Sequence, residues 1–207
     1  MRILAVADTV SKYLYDYYTP GKLSGFDLIL ACGDLSRDYL EFLVDASQCP
    51  VLYVRGNHDD SLEDDPPGGC ICIEDTLYNY RGIRIVGLGG SNRYREGGNM
   101  YTEKQMERRI KKLRMKIWKN GGFDILLTHS PARHLNDFDS ISHRGFECFN
   151  ELLEKYRPKY FVHGHIHKNY GRNIPQLTEH HGTTVINACD YCIFEYDDGG
   201  NARQKSG

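Results

Sequence analysis

Short, continuous apolar runs bounded by turn residues recur along the chain at Ile3 to Ala7, Leu28 to Cys32, Val51 to Val54, Ile83 to Leu88, Ile125 to Thr128, Tyr160 to His163, Thr183 to Ala188 and Tyr191 to Tyr196. They have the length of strands, and several are rich in β-branched residues, as buried strands are. Between them apolar residues return at the helical period, with Leu40, Leu43 and Val44 inside 36–47 and Phe146, Phe149, Leu152, Leu153 and Tyr156 inside 146–156. This alternation predicts an α/β architecture with largely parallel pairing in its first half. The close spacing of the last two strands predicts an antiparallel finish.

The clearest helix spans 103–119. Thr102 and Gln105 form a capping-box pattern at its start, and Asn120-Gly121-Gly122 ends it. Met106, Ile110, Leu113 and Ile117 make one apolar stripe, while Lys104, Arg108, Arg109, Lys111, Lys112, Arg114, Lys116 and Lys119 are assigned to the opposite face. Only Glu103 and Glu107 oppose them. The expectation is a solvated face over a packed stripe; the alternative is a polyanion-binding face, with a nuclease role. Residues 59–69, rich in Asp and Glu before Pro66-Pro67-Gly68-Gly69, are expected to form an exposed acidic loop. A single domain is expected over 1–198, with 199–207 a disordered tail.

The composition of the 207 residues, 40% hydrophobic and 26% charged, is that of an ordinary globular domain and excludes disordered or collagen-like classes. Lys+Arg 26 against Asp+Glu 28 leaves a net charge of -2, so no overall field recruits nucleic acid or an anionic membrane. No apolar run approaches the roughly 18 residues of a membrane helix, and the N-terminal run meets Asp8 too soon for a signal peptide. A cytoplasmic protein with no membrane association is expected, its seven cysteines present as reduced thiols.

The nine histidines change the picture. Five of the expected strands are followed within a few residues by groups able to hold a metal: Asp8; Asp34; Asn57-His58-Asp59; His129; and His165 with His167. The carboxyl ends of parallel strands share one edge, so residues distant in sequence can converge there. Carboxylate, amide oxygen and imidazole together suit Mn, Fe, Co, Ni or Zn better than Mg or Ca. Asn92 and Arg93, in a glycine-led loop after a strand, are candidates to touch a phosphate oxygen. Asp139 and His143, downstream of His129, are candidates to line the pocket, with helix-entry capping the plainer role for Asp139. His163 is expected to be structural or to support the site. Cys189-Asp190-Tyr191-Cys192 is expected to bind no zinc and to carry no redox chemistry.

The ordered set Asp8, Gly33-Asp34, Gly56-Asn57-His58-Asp59, His129 and Gly164-His165-Ile166-His167 resembles the calcineurin-like metallophosphoesterase superfamily. Its pattern is Asp-x-His, Gly-Asp, Gly-Asn-His-Asp/Glu, a strand-end His and Gly-His-x-His. The resemblance implies a sandwich of two mixed β-sheets flanked by helices, with a dinuclear metal site at the carboxyl edge of the strands. It implies that Asp34 bridges two divalent ions, manganese foremost with Fe, Ni, Co or Zn as alternatives. Asp8 and His167 would complete the first site, and Asn57, His129 and His165 the second. A metal-activated hydroxide would attack phosphorus in line, hydrolysing a phosphomonoester or phosphodiester. His58 would face the leaving-group oxygen as general acid or cationic stabiliser, with Asp59 holding its ring.

One position departs from that pattern. The chain reads Asp8-Thr9-Val10 where the family has Asp-x-His, so the first site loses an imidazole. Weaker occupancy of the first site is the expectation. The alternative is a non-catalytic metal-binding scaffold of the same fold.

Overall fold

Alternate residues of the first strand enter two different cores: Ile3, Ala5 and Ala7 one, Leu4 and Val6 the other, all fully buried. Successive side chains on a strand point to opposite faces, so a strand apolar at every position must be covered on both sides. The computed structural model, which describes residues 1–167 and 174–197, supplies those covers.

In chain order its elements are β1 (Arg2–Ala7), β2 (Leu28–Ala31), α1 (Arg37–Ser47), β3 (Val51–Tyr53), α2 (Ser61–Asp64), β4 (Cys70–Cys72), β5 (Thr76–Tyr80), β6 (Ile83–Leu88), β7 (Ser91–Asn92), β8 (Met100–Tyr101), α3 (Glu103–Lys119), β9 (Ile125–Thr128), a 3-10 turn (Ile141–His143), α4 (Glu147–Tyr156), β10 (Tyr160–His163), β11 (Leu177–His180), β12 (Thr183–Asn187) and β13 (Asp190–Glu195). One sheet has the order β13-β1-β2-β3-β4, with β1 to β4 parallel and β13 antiparallel to β1. The other has the order β11-β12-β10-β9-β6-β5, parallel in the middle and antiparallel at both edges. Leu28, Leu30 and Leu52 of the first sheet share a core with Ile85, Ile125, Leu127 and Ile186 of the second. On the outer face of the first sheet, Tyr39, Leu40 and Leu43 of α1 pack on Leu4, Ile29 and Val51. On the outer face of the second, Met106, Ile110 and Leu113 of α3 and Phe149 and Leu153 of α4 pack on Val86, Leu126 and Phe161. Two mixed sheets flanked by helices is therefore the observed fold.

Four expectations need correction. The last two strands do not pair: β12 belongs to one sheet and β13 to the other, where it runs antiparallel to β1. A two-residue hairpin wants Gly, Asn or Asp in its turn, but Ala188 and Cys189 are buried residues along which the chain crosses between sheets. Strands β5 and β11 lie outside the expected set because edge strands, wetted on one side, lack a continuous apolar run, and β4 lies outside it as a three-residue edge strand, Cys70–Cys72, with no residue fully buried. The 59–69 segment is not wholly exposed, since Asp59, Leu62 and Pro67 are buried and Ser61–Asp64 forms one helical turn. Arg109 is not on the solvated face of α3: it is 8% exposed, and its Nε donates to Asp75 (2.8 Å) and its Nη1 to the Gly89 carbonyl (2.8 Å). Its Nη2 pairs with Glu74, and the guanidinium lies 4.2 Å from the Tyr101 ring centroid.

The capping box of α3 is present, with Thr102 N donating to Gln105 Oε1 at 2.8 Å and Gln105 N donating to Thr102 Oγ1 at 3.3 Å. The expected tail falls outside the described residues. No helix among the described residues is long and apolar enough to cross a membrane.

Candidate metal centre

Asp8 follows β1, Asp34 lies three residues past β2 and His165 two residues past β10, and all three take positive φ (63°, 55° and 68°). This left-handed geometry costs an L-residue on the order of 1 kcal/mol and turns each chain sharply at its strand end. Local hydrogen bonds hold it. His165 N donates to both carboxylate oxygens of Asp8 at 2.9 Å, and Asp34 N donates to Asp59 Oδ2 at 2.7 Å. Two glycines admit the approach. A Cβ on Gly33 would lie 2.3 Å from Gly56 N, and one on Gly56 would lie 2.0 Å from Asp34 Oδ1.

The two sheets meet at this edge, so His129, from the end of β9, reaches residues of the first sheet. Its Nδ1–H donates to the Cys32 carbonyl at 2.8 Å. A carbonyl only accepts, so that contact places the proton on Nδ1 and leaves the Nε2 lone pair facing inward. The Nε2–H of His165 likewise donates to the Ser142 carbonyl at 2.7 Å, turning its Nδ1 lone pair toward His129. Nε2 of His129 then stands 3.0 Å from Asn57 Oδ1, 3.1 Å from His165 Nδ1 and 3.5 Å from Asp34 Oδ2. One ligand atom each from Asp34, His129 and His165 falls within 4.8 Å of the others. Electron-rich atoms so converged and buried require a positive charge among them. The mixed oxygen and nitrogen set suits a borderline divalent ion, so the residues fit a metal.

The electrostatics express the same demand. Burial opposes charging His129, yet the Asp34 and Asp8 carboxylates outweigh it and raise its pKa. Burial lowers that of His165, with the neighbouring His129 adding to the effect. The Asp8 carboxyl is pushed up to about 7, chiefly by burial. Burial also raises Asp59 and lowers His163 to about 4.

Asp8, Asp34, Asn57, His129 and His165 are thus brought together. His167 stands at the margin, half-buried, with Nε2 4.0 Å from Asp8 Oδ1. Val10 is exposed and offers no donor atom. His58 is also exposed, and its backbone N–H donates to Asp34 Oδ1 at 2.8 Å. Asp59 does not hold the His58 ring as expected: its Oδ2 accepts from the backbone of both Asp34 and Gly56, each at 2.7 Å, because burial directs it to the N–H groups of the turn. Of the four pocket candidates, His143 stands beside the cluster, its ring centroid 5.6 Å from that of His165 and its Nδ1 2.8 Å from Ser140 Oγ. Asn92 and Arg93 are engaged in holding their loop, donating to the carbonyls of Gly145 (3.4 Å) and Met100 (3.2 Å). Asp139 is turned to Arg133 (2.8 Å), which lowers its pKa, and its side chain is 91% exposed. That pairing satisfies the carboxylate outside the site, against the pocket-lining expectation.

Three contributors are absent from the sequence reading of the site. The carbonyls of Cys32 and Ser142 carry no side-chain signal. Tyr94, whose hydroxyl accepts from Asn57 Nδ2 at 3.4 Å, sits beside the two loop residues that reading selected.

The family model for calcineurin-like phosphoesterases matches residues 1–169. Among curated proteins, the chain is 24% identical over 197 residues to UPF0046 protein C25E10.12 of Caenorhabditis elegans, covering 77% of this chain and 64% of that protein. It therefore spans less than two thirds of that relative. Among solved structures, TT1561 of Thermus thermophilus superposes with a TM-score of 0.57 at 16% identity, covering 91% of this chain and 89% of that one. A further crystal structure gives a TM-score of 0.62 at 12% identity and covers 93% of both chains. These structural likenesses establish the fold.

Proposed function

Because the chain belongs to the calcineurin-like phosphoesterase family, we propose that it hydrolyses a phosphomonoester or phosphodiester at a centre of two divalent metal ions. The observation that carries this reading is the convergence of His129 Nε2, His165 Nδ1, Asp34 Oδ2 and Asn57 Oδ1, with both imidazole protons committed to carbonyls outside the cluster. Asp34, Asn57, His129 and His165 would hold one ion, and Asp8, His167 and again Asp34 the other. Divalent ions there would supply Lewis acidity, generating a nucleophile from water near neutral pH and offsetting charge on the phosphoryl oxygens.

The remaining roles belong to the chain. His58 lines a 340 Å³ groove together with Asp34, Ser36 and Arg37, where its exposed imidazole can donate a proton to a leaving-group oxygen or stabilise its charge. Asp59 acts at one remove, fixing the Asp34 and Gly56 turns through their N–H groups. The set around His129 is the tighter of the two, since Val10 adds no ligand to the Asp8 and His167 side.

The test is hydrolysis of chromogenic phosphomonoesters and phosphodiesters by chelator-stripped protein with added manganese, alongside Asn57→Ala. Metal-dependent turnover that disappears in the variant is the expected result. No turnover with manganese, nickel or iron sinks the reading.

A further inference from the structure

The run Tyr13, Tyr15, Tyr17 and Tyr18 divides by direction. Tyr15 and Tyr18 pack edge-on against Phe42 of α1, with ring centroids at 4.8 and 5.2 Å. Tyr13 and Tyr17 instead turn outward, 52% and 68% exposed, and with Val10 (37% exposed) they line a groove of about 590 Å³. Lys12 and His167 line the same groove, and His167 Nε2 is the atom 4.0 Å from Asp8 Oδ1. The groove therefore reaches the margin of the candidate centre at His167.

The Tyr13 side of its aromatic wall is held in place, and the backbone of Tyr17 with it. The Tyr13 ring stacks on Tyr191 at 5.7 Å and 18°, and the Lys22 ammonium lies 4.3 Å from its centroid. The same ammonium donates to the Tyr13 carbonyl at 3.0 Å and to the Tyr17 carbonyl, clamping both ends of the segment. A fixed wall loses little entropy when a ligand meets it. The exposed Tyr17 ring, the uncovered part of the Tyr13 ring and the aliphatic Val10 side chain are surfaces of the kind that concave ligand sites use for the uncharged part of a ligand.

We infer that this groove is the subsite for the ester group of the substrate and that it takes a flat aromatic group in preference to a small aliphatic one. The inference rests on the phosphoesterase reading above and specifies its substrate class. A phosphoryl group bound at the divalent ions that Asp34 and Asp8 would hold could direct one ester substituent past His167 into the groove, where the lining charges of Lys12 and Asp190 oppose each other. Tyr13, Tyr17 and Val10 are specificity residues in this scheme.

The experiment measures equilibrium binding of phenylphosphonate and methylphosphonate to the manganese-loaded full chain by calorimetry, for wild type, Tyr13→Ala and Tyr17→Ala. Phenylphosphonate is expected to bind at least about tenfold more tightly to wild type, as ring burial with an aromatic contact provides. In the variants the phenyl-to-methyl ratio should fall toward one. Tyr17 is so exposed that its removal leaves the fold intact even if Tyr13→Ala does not, and circular dichroism checks this. Equal affinities in wild type, no phosphonate binding at all, or a ratio unchanged in folded Tyr17→Ala and Tyr13→Ala overturns the inference. A retained ratio in a protein that turns over no phosphoester would sink the catalytic reading and leave the subsite standing. Turnover without aromatic preference would do the reverse.

Discussion

Arg109 and Glu74 form a buried ion pair that joins α3 to the strand ends beneath the candidate centre, each side chain only 9% exposed. Glu74 also accepts from the backbone N–H groups of Arg55 and Gly89, both at 3.1 Å, and Arg55 immediately precedes Gly56-Asn57. Burial works against the Arg109 charge, but Glu74 and Asp75 more than restore it and raise its pKa. Removing Arg109 leaves the buried Glu74 carboxylate without its cation, which typically costs about 3–5 kcal/mol. Arg109→Met should therefore lower the urea midpoint sharply, while Arg109→Met with Glu74→Met should recover part of the loss. A double variant less stable than the single one would mean that the pair is not the unit.

Metal affinity should separate the proposed ligands from the proposed acid. Asn57→Ala and His129→Ala each remove an inward donor and should weaken binding by more than the roughly 10–100-fold lost with a supporting partner. His58→Ala should keep its metal and lose about 10²–10⁴-fold in turnover on substrates with poor leaving groups. Metal content by atomic absorption, read beside turnover, checks both. Full turnover in metal-loaded His58→Ala would remove the acid assignment.

Val10→His places an imidazole two residues after Asp8. If Asp8, His167 and Asp34 form the weaker of two metal sites, this variant should retain more ions per chain after dialysis than wild type. An unchanged stoichiometry would count against the two-site arrangement.

Alkaline stability should report on Cys70. Burial pushes this thiol from 9.0 to about 12. Between those values the unfolded chain releases the thiol proton and the folded chain keeps it, so the folded state binds more protons and stability falls as pH rises. Cys70→Ala should flatten the decline in urea midpoint between pH 9 and 12, and an identical slope would show that other groups carry it.

Helix α3 was legible because its signals are local: the cap residues Thr102 and Gln105 and the stripe from Met106 to Ile117 lie on one short segment. Arg109, inside that segment, was not. Its place beside Met106 on the buried flank acquires meaning only when Glu74 and Asp75 arrive from the connection between β4 and β5. Asp59 failed in the same way: nothing in Asn57-His58-Asp59 distinguishes a carboxylate aimed at the neighbouring imidazole from one aimed at the N–H groups of Asp34 and Gly56.

By itself the sequence determined which chemical groups end the strands and in what order, because strand periodicity and turn residues are properties of short stretches of chain. Asp8, Asp34, Asn57, His129 and His165 were all readable on that basis. Only the tertiary structure decided how they are used. The proton on His129 is placed by a carbonyl 97 residues away, and the one on His165 by a carbonyl 23 residues away. Every residue carries the same carbonyl, so no side chain announces the contact; packing of the two sheets brings the Cys32 carbonyl to His129, and the 3-10 turn Ile141–His143 brings that of Ser142 to His165, turning the lone pairs inward.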